Sequence, residues 1–294
     1  MRRNLYVSFM IPASTSKDAF DGLLLEMNCR SALVYGRLVG RTNSYELRYS
    51  DHDPSLDLVR RILQRKEISW SERLEVRYSD SELLALSYLI MGLGTVPVGY
   101  GGPRYGTEYD LENACRKCGT GAIQTSPLFV RPSDLPKRGV ICQTHSCEIL
   151  LRGDLAALLT QEQSGEMELR RVHASTDHRP LDWFQLIALC TMPPFSESTT
   201  GVVISDQCPE CNRDGYFDTP TTPRQLVYCR NDMNLSAEPI VANTHECFGI
   251  SRLQEPFSKS FLASPLLLVK PQMLSFMRRH RVARVGFEPV FVLG

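Results

Sequence analysis

Two short cysteine pairs limit the folds open to this chain more than anything else in it. Cys115 and Cys118 stand in ACRKCGTGA, and Cys208 and Cys211 in DQCPECNRDG. Two thiolates spaced by two residues across a tight turn can both reach one Zn²⁺ at about 2.3 Å, and a structural zinc site takes four ligands. Three closures satisfy that count. In the first, Cys115, Cys118, Cys208 and Cys211 share one zinc between two halves of the chain. In the second, Cys115 and Cys118 close with Cys142 and either Cys147 or His145. In the third, Cys208 and Cys211 close with Cys229 and either Cys247 or His245, so that the second and third together make two zinc ribbons. The remaining two of the ten cysteines, Cys29 and Cys190, lie among apolar residues and are expected to be small core side chains. Ten cysteines in 294 residues are too sparse for a disulfide scaffold, and in a reducing compartment paired cysteines more often hold metal.

A pattern follows each pair. Residues 149–172 align without gaps on residues 267–290 at a constant offset of 118. Ile149-Leu150-Leu151 falls on Leu267-Leu268-Val269. Leu155, Leu158 and Leu159 fall on Met273, Phe276 and Met277, an i, i+3, i+4 helical face. Met167 and Leu169 fall on Val285 and Phe287, alternating as a half-buried strand does. Each copy reads strand, turn, helix, strand, and the longer gap after the second cysteine pair predicts an insertion within residues 217–260. The expected fold class is therefore α/β (α+β). An N-terminal α/β domain over residues 1–95 is followed by two pseudo-repeated β-α-β halves, residues 96–180 and 181–294, joined by zinc knuckles.

Within the first domain, Leu5, Val7, Phe9 and Ile11 alternate as a strand. Strands are also expected over 33–39, 45–49 and 74–78, with a turn at Gly40–Ser44. Leu56, Val59, Ile62 and Leu63 form one helical face after Pro54. Asp80 is placed to cap a helix whose apolar set runs through Leu83, Leu84, Leu86, Leu89 and Ile90. Six glycines and two prolines in residues 92–110 read as a linker, since neither GxxxxGK[ST] nor a strand-GxGxxG-helix order is present.

Lysine plus arginine equals aspartate plus glutamate, 33 each, which argues against a protein whose business is gripping phosphate backbone. The basic cluster Arg278, Arg279, His280, Arg281 and Arg284 reads as the C-terminal end of an amphipathic helix, where cations suit the dipole. Nucleic-acid contact through it is the lesser reading. There is no GxSxG and no HExxH, Asp51-His52-Asp53 reads as a solvated turn, and His173 and His178 sit in a polar loop. No enzyme is expected. No stretch approaches the ~20 apolar residues of a membrane helix, and the N-terminus reads as a strand rather than a secretory signal, so the expected location is cytoplasmic, with no membrane partner.

Several segments carry a resemblance: Tyr105-Gly106-Thr107 with Asp110, CRKCGTGAIQ at 115–124, EILLRGDLAALL at 148–159, RPLDWFQL at 179–186, CPEC at 208–211 and GFEPVFV at 286–292. Over about residues 80–294 the chain resembles the bacterial double-CXXCG-motif proteins, which are grouped with immunity proteins of toxin and kin-discrimination systems. The resemblance implies a metal-binding interaction protein of bacterial conflict systems, with the metal role on Cys115, Cys118, Cys208 and Cys211. The expectation drawn from the whole sequence is a protein with structural zinc that binds a protein partner, a cognate toxin, and blocks it. The second pair departs from the motif, because Asn212 stands where the glycine should be and the next glycine is Gly215.

Overall fold

The structure is a computed structural model, and it describes residues 2–39, 42–50, 52–93, 99, 101–162, 167–220, 222–233 and 239–294. It is an α+β protein that divides into two compact units, residues 1–79 with 218–224, and residues 80–217 with 225–294.

The smaller unit holds strands β1 (Arg2–Pro12), β2 (Leu33–Val39), β3 (Thr42–Ser50) and β4 (Trp70–Arg77), with helices α1 (Lys17–Glu26) and α2 (Leu56–Arg65). The strands form one antiparallel sheet in the order β2-β3-β1-β4. Alternation in β1 turns Leu5, Val7, Phe9 and Ile11 to one buried face. Against them pack Leu56, Val59, Ile62 and Leu63 of α2 and Leu23, Leu24 and Met27 from the α1 side. The apolar positions read from the sequence of α2 are the four that it buries. No element is expected over α1, which Ser16 caps by accepting a hydrogen bond from the Ala19 N–H at 3.2 Å. Cys29 is fully buried in this core, as expected. Residues 218–224 join the unit through the Leu74 N–H, which donates to the Pro220 carbonyl at 2.9 Å.

The larger unit begins with α3 (Asp80–Leu84) and β5 (Tyr88–Leu93). The helix expected to run on through Leu89 and Ile90 thus stops early. Tyr88–Met91 is an unbroken apolar run, buried residue by residue, which is how a central strand covered on both faces reads. Then come β6 (Tyr109–Asp110), β7 (Ile123–Gln124), β8 (Phe129–Val130), β9 (Ile141–Gln143), β10 (Ile149–Arg152), α4 (Gly153–Glu162), β11 (Met167–Ala174) and β12 (Pro180–Ala188). The unit closes with β13 (Val202–Ile204), β14 (Tyr216–Asp218), β15 (Leu226–Cys229), β16 (Val241–Phe248), β17 (Ser264–Val269), α5 (Pro271–Arg279) and β18 (Val285–Leu293).

Two five-stranded sheets organise this unit, β8-β11-β12-β10-β9 and β15-β18-β5-β17-β16. Position by position they agree in direction: the first pair of each is parallel and the other three are antiparallel. They agree in register as well. Leu150 pairs with Gln185 and Leu268 with Ile90. Leu169 pairs with Leu186 and Phe287 with Met91. Cys142 pairs with Leu150 and Ala242 with Leu268. The corresponding β-α-β segments are offset by 118 residues, the central strands by 95, and β9 and β16 by 100. The offset grows from 93 at the cysteines to 100 at β9 and β16 and 118 at β10 and β17. Most of the extra length of the second half therefore lies between Asn243 and Leu267, partly within the 217–260 window expected and partly beyond it. The central strands differ in connection. β12 follows its β-α-β segment in the chain, whereas β5 precedes every other strand of the unit.

This topology moves both expected boundaries. Residues 80–95 do not belong with the N-terminal domain, because β5 is the middle of a sheet in the larger unit. The 180/181 boundary falls inside β12, which pairs with β10 and β11 of the preceding half. Of the glycine-rich linker expected at 92–110, residues 94–98 and 100 lie outside the described residues.

Candidate metal centre

The two cysteine turns meet inside the larger unit. Cys115 Sγ lies 3.8 Å from Cys208 Sγ, and Cys118 Sγ lies 3.6 Å from Cys211 Sγ. All four sulfurs fall within 4.8 Å of one another. A zinc bound tetrahedrally at about 2.3 Å from each sulfur requires sulfur–sulfur edges of about 3.8 Å, so the spacing fits a single ion. Each half supplies one pair, and equivalent cysteines face each other. Of the closures open to the sequence, the geometry brings together the shared one. Among the described residues no second group of three or more potential ligands comes together. Cys142 is buried in the core of the first sheet, and Cys147 and His145 line a separate cavity. The Cys190 thiol lies half-buried against the Val241 carbonyl at 3.5 Å.

The turns are built alike despite their different sequences. In the first, the Gly119 N–H donates to the Cys115 carbonyl at 2.8 Å, and Gly119 has φ +82. In the second, the Asn212 N–H donates to the Cys208 carbonyl at 3.0 Å, and Asn212 has φ +54. Asparagine is among the few side chains that tolerate the left-handed region, so the departure from CXXCG leaves the turn intact. Gly215 has a separate task. With φ +79, it packs so closely that a Cβ would stand 2.6 Å from the Ser205 carbonyl oxygen and 2.8 Å from Gln207 Cα.

Hydrogen bonds tie both turns to one support. The Cys208 N–H donates to Asp214 Oδ1 at 2.8 Å, and Asp214 Oδ2 accepts from the Ser251 N–H at 2.9 Å. The Ser251 hydroxyl lies 3.0 Å from Thr120 Oγ1, which is itself 3.1 Å from Cys118 Sγ. Leu253 and Leu262 crowd Gly119, where a Cβ would find their side chains at 3.2 and 3.1 Å. The support therefore comes from the segment by which the second half is longer. Burial pushes the Cys118 and Cys211 thiols up. At Cys208 burial also opposes the thiolate, but the N–H groups of Glu210 and Cys211 outweigh it and hold the thiol below its ordinary value.

The other sequence candidates have structural partners. Arg278 forks onto Asp80, with Nε 3.0 Å from Oδ2. Arg279 and His280 both meet Glu162, at 2.8 and 2.6 Å. Three members of the basic cluster are thus ion-paired or poised to be. The His173 ring nitrogen lies 2.9 Å from the His178 carbonyl, and both rings pack on Phe129. Asp53 accepts the Ser55 N–H at 2.9 Å, as a turn residue does, while Asp51 lies outside the described residues.

One signal escaped the periodicity. Thr144-His145-Ser146-Cys147 and Thr244-His245-Glu246-Cys247 share three of four residues at an offset of 100, the offset of β9 and β16. Both threonines are buried; the Thr144 hydroxyl accepts from the Ser146 and Glu148 N–H groups in the turn after β9, whereas the Thr244 hydroxyl donates to the Glu246 carbonyl within β16, where the register with β17 shifts. No helix among the described residues is long and apolar enough to cross a membrane. Neither a family model, nor a curated protein, nor a solved structure matches the chain.

Proposed function

We propose that this chain is a zinc-stabilised bacterial interaction protein that binds a cognate toxin and neutralises it. The observation that carries the reading is the closure of the centre. Four cysteines within 4.8 Å complete the coordination of a zinc and leave no open position for water or substrate, which is the signature of a structural rather than a catalytic site. The work of such a protein falls on its surfaces, where shape and charge select one partner. The resemblance of about residues 80–294 to the double-CXXCG-motif proteins, which are grouped with immunity proteins, supports a toxin as that partner. The alternative, a zinc-ribbon component of an antiviral or regulatory complex contacting nucleic acid, is weakened by the pairing of Arg278, Arg279 and His280 with Asp80 and Glu162.

We also infer that the two sheets descend from one duplicated segment. If each copy opens on its central strand, β5 and β12 have been exchanged, each completing the other copy's sheet. Order, direction and register of ten strands support this, as do the paired cysteines and the repeated T-H-x-C.

The functional reading is tested by affinity capture from the native host, followed by expression of the captured polypeptide alone and together with this chain. The expected result is growth arrest by the partner alone and rescue by co-expression. A captured partner that is harmless alone, or arrest that co-expression does not relieve, contradicts the reading.

A further inference from the structure

A cavity of about 770 Å³ opens in the larger unit, lined among others by Tyr109, Ser146, Glu148, Phe248, Phe261 and Leu262. Its volume lies in the range of small-molecule sites. Three oxygens converge at one end of it. Gly102 has φ +73, and a Cβ built there would stand 3.2 Å from Tyr109 Oη, 3.6 Å from Glu148 Oε1 and 4.0 Å from Ser146 Oγ. A carboxylate and two hydroxyls, all on residues that line the cavity, thus gather beside this glycine. Glu148 is held in place through its other oxygen, Oε2, which accepts from the Thr144 hydroxyl. Among the described residues, no hydrogen bond reaches Oε1, Tyr109 Oη or Ser146 Oγ.

We propose that this cavity binds a primary ammonium group carried on a carbon stem. Its three N–H donors match the three oxygens, and its stem lies along the wall formed by Phe248, Phe261 and Leu262. A half-buried carboxylate lacking a counter-charge is unfavourable; an ammonium supplies that charge together with the donors. Burial pushes Glu148 up to about 7. A divalent metal finds too few carboxylates here, and an anion would face Glu148. Arg104 and Lys259 line the same cavity, so an anionic group elsewhere on the ligand would meet cationic side chains there. That description fits a lysine side chain of a bound protein and equally a free ω-amino acid. The proposal does not depend on the partner being a toxin.

The test is calorimetric titration of the full-length, zinc-loaded protein with two probes, Nα-acetyl-lysine methylamide for a lysine within a chain and 6-aminohexanoate for a free ω-amino acid. Nα-acetyl-norleucine methylamide, which lacks the ammonium, is the control. Saturable binding of at least one ammonium probe is expected, with the norleucine control at least ten-fold weaker. Whichever probe binds more tightly names the source. Glu148→Gln should weaken the better probe ten-fold or more and Tyr109→Phe several-fold, while Ile204→Ser, at an exposed position that does not line the cavity, leaves it unchanged. Metal content of each variant verifies its fold. Failure of both ammonium probes, equal binding of the norleucine control, or full binding by metal-replete Glu148→Gln overturns the proposal.

Discussion

The two units of this protein solve the same problem by different means. The N-terminal unit has one four-stranded sheet, two helices and a continuous apolar core. The larger unit spreads its apolar residues over two sheets with their own clusters, and four cysteines join the loops of both halves. The first unit is held by area removed from water, at roughly 25 cal/mol per Å². In the second, two cysteine pairs 93 residues apart in the chain are placed where one metal ion could tie them together. A core tolerates partial loss; a four-ligand site missing one ligand does not. The two units should therefore fail separately and under different insults.

Removing the metal is the strongest way to break this comparison. Structural zinc contributes roughly 10–16 kcal/mol of apparent binding energy in zinc-finger peptides, as much as the whole stability of a typical domain. Chelation, or Cys118→Ser, should abolish the cooperative unfolding of the larger unit and strip hydrogen-exchange protection from β10, β12, β17 and β18. Protection in β1 and β3 should persist. The reverse experiment is smaller. Leu63→Ala in the N-terminal core, where Leu63 is fully buried, should cost about 2–5 kcal/mol. It should lower the melting of that unit while the zinc content stays the same.

Substitutions at two positions, in the second turn and just beyond it, sharpen the account further. Gly215→Ala should cost at least about 1–3 kcal/mol from its left-handed backbone alone, and more from the approach to Ser205 and Gln207. Lowered zinc affinity is the readout. Asn212→Ala should cost about 1 kcal/mol, whereas Asn212→Gly should be tolerated, because either residue allows the conformation that Gly119 adopts in the first turn. A large effect of Asn212→Gly would show that the side chain, not the backbone, matters there.

Much of this was legible in residues alone, for a local reason. The face of α2, the alternation of β1 and the strand-helix-strand pattern at an offset of 118 depend on periodicity within a dozen residues, which sequence displays directly. The four candidate ligands were visible because metal chemistry demands a fixed spacing. Long-range pairing was not visible. Leu89 and Ile90 continue the apolar spacing of α3 and read as helix, yet β17 and β18 recruit them as strand. That recruitment also displaced the domain boundary. Which closure the cysteines choose depends on the meeting of loops 93 residues apart, and no spacing rule encodes that. The T-H-x-C repeat was in plain view. It lay just outside the ungapped alignment, on the far side of an insertion that changed the offset from 118 to 100.

Metal stoichiometry and ligand set test the shared centre most directly. The purified protein should contain one zinc per chain, and Co²⁺ exchanged into it should show the ligand-field and thiolate charge-transfer bands of a tetrahedral four-sulfur site. Those bands should disappear from Cys115→Ser and Cys208→Ser alike, since one substitution in either half opens the same site. Two metals per chain, or a spectrum that survives substitution in one half, would contradict a single centre shared between the halves.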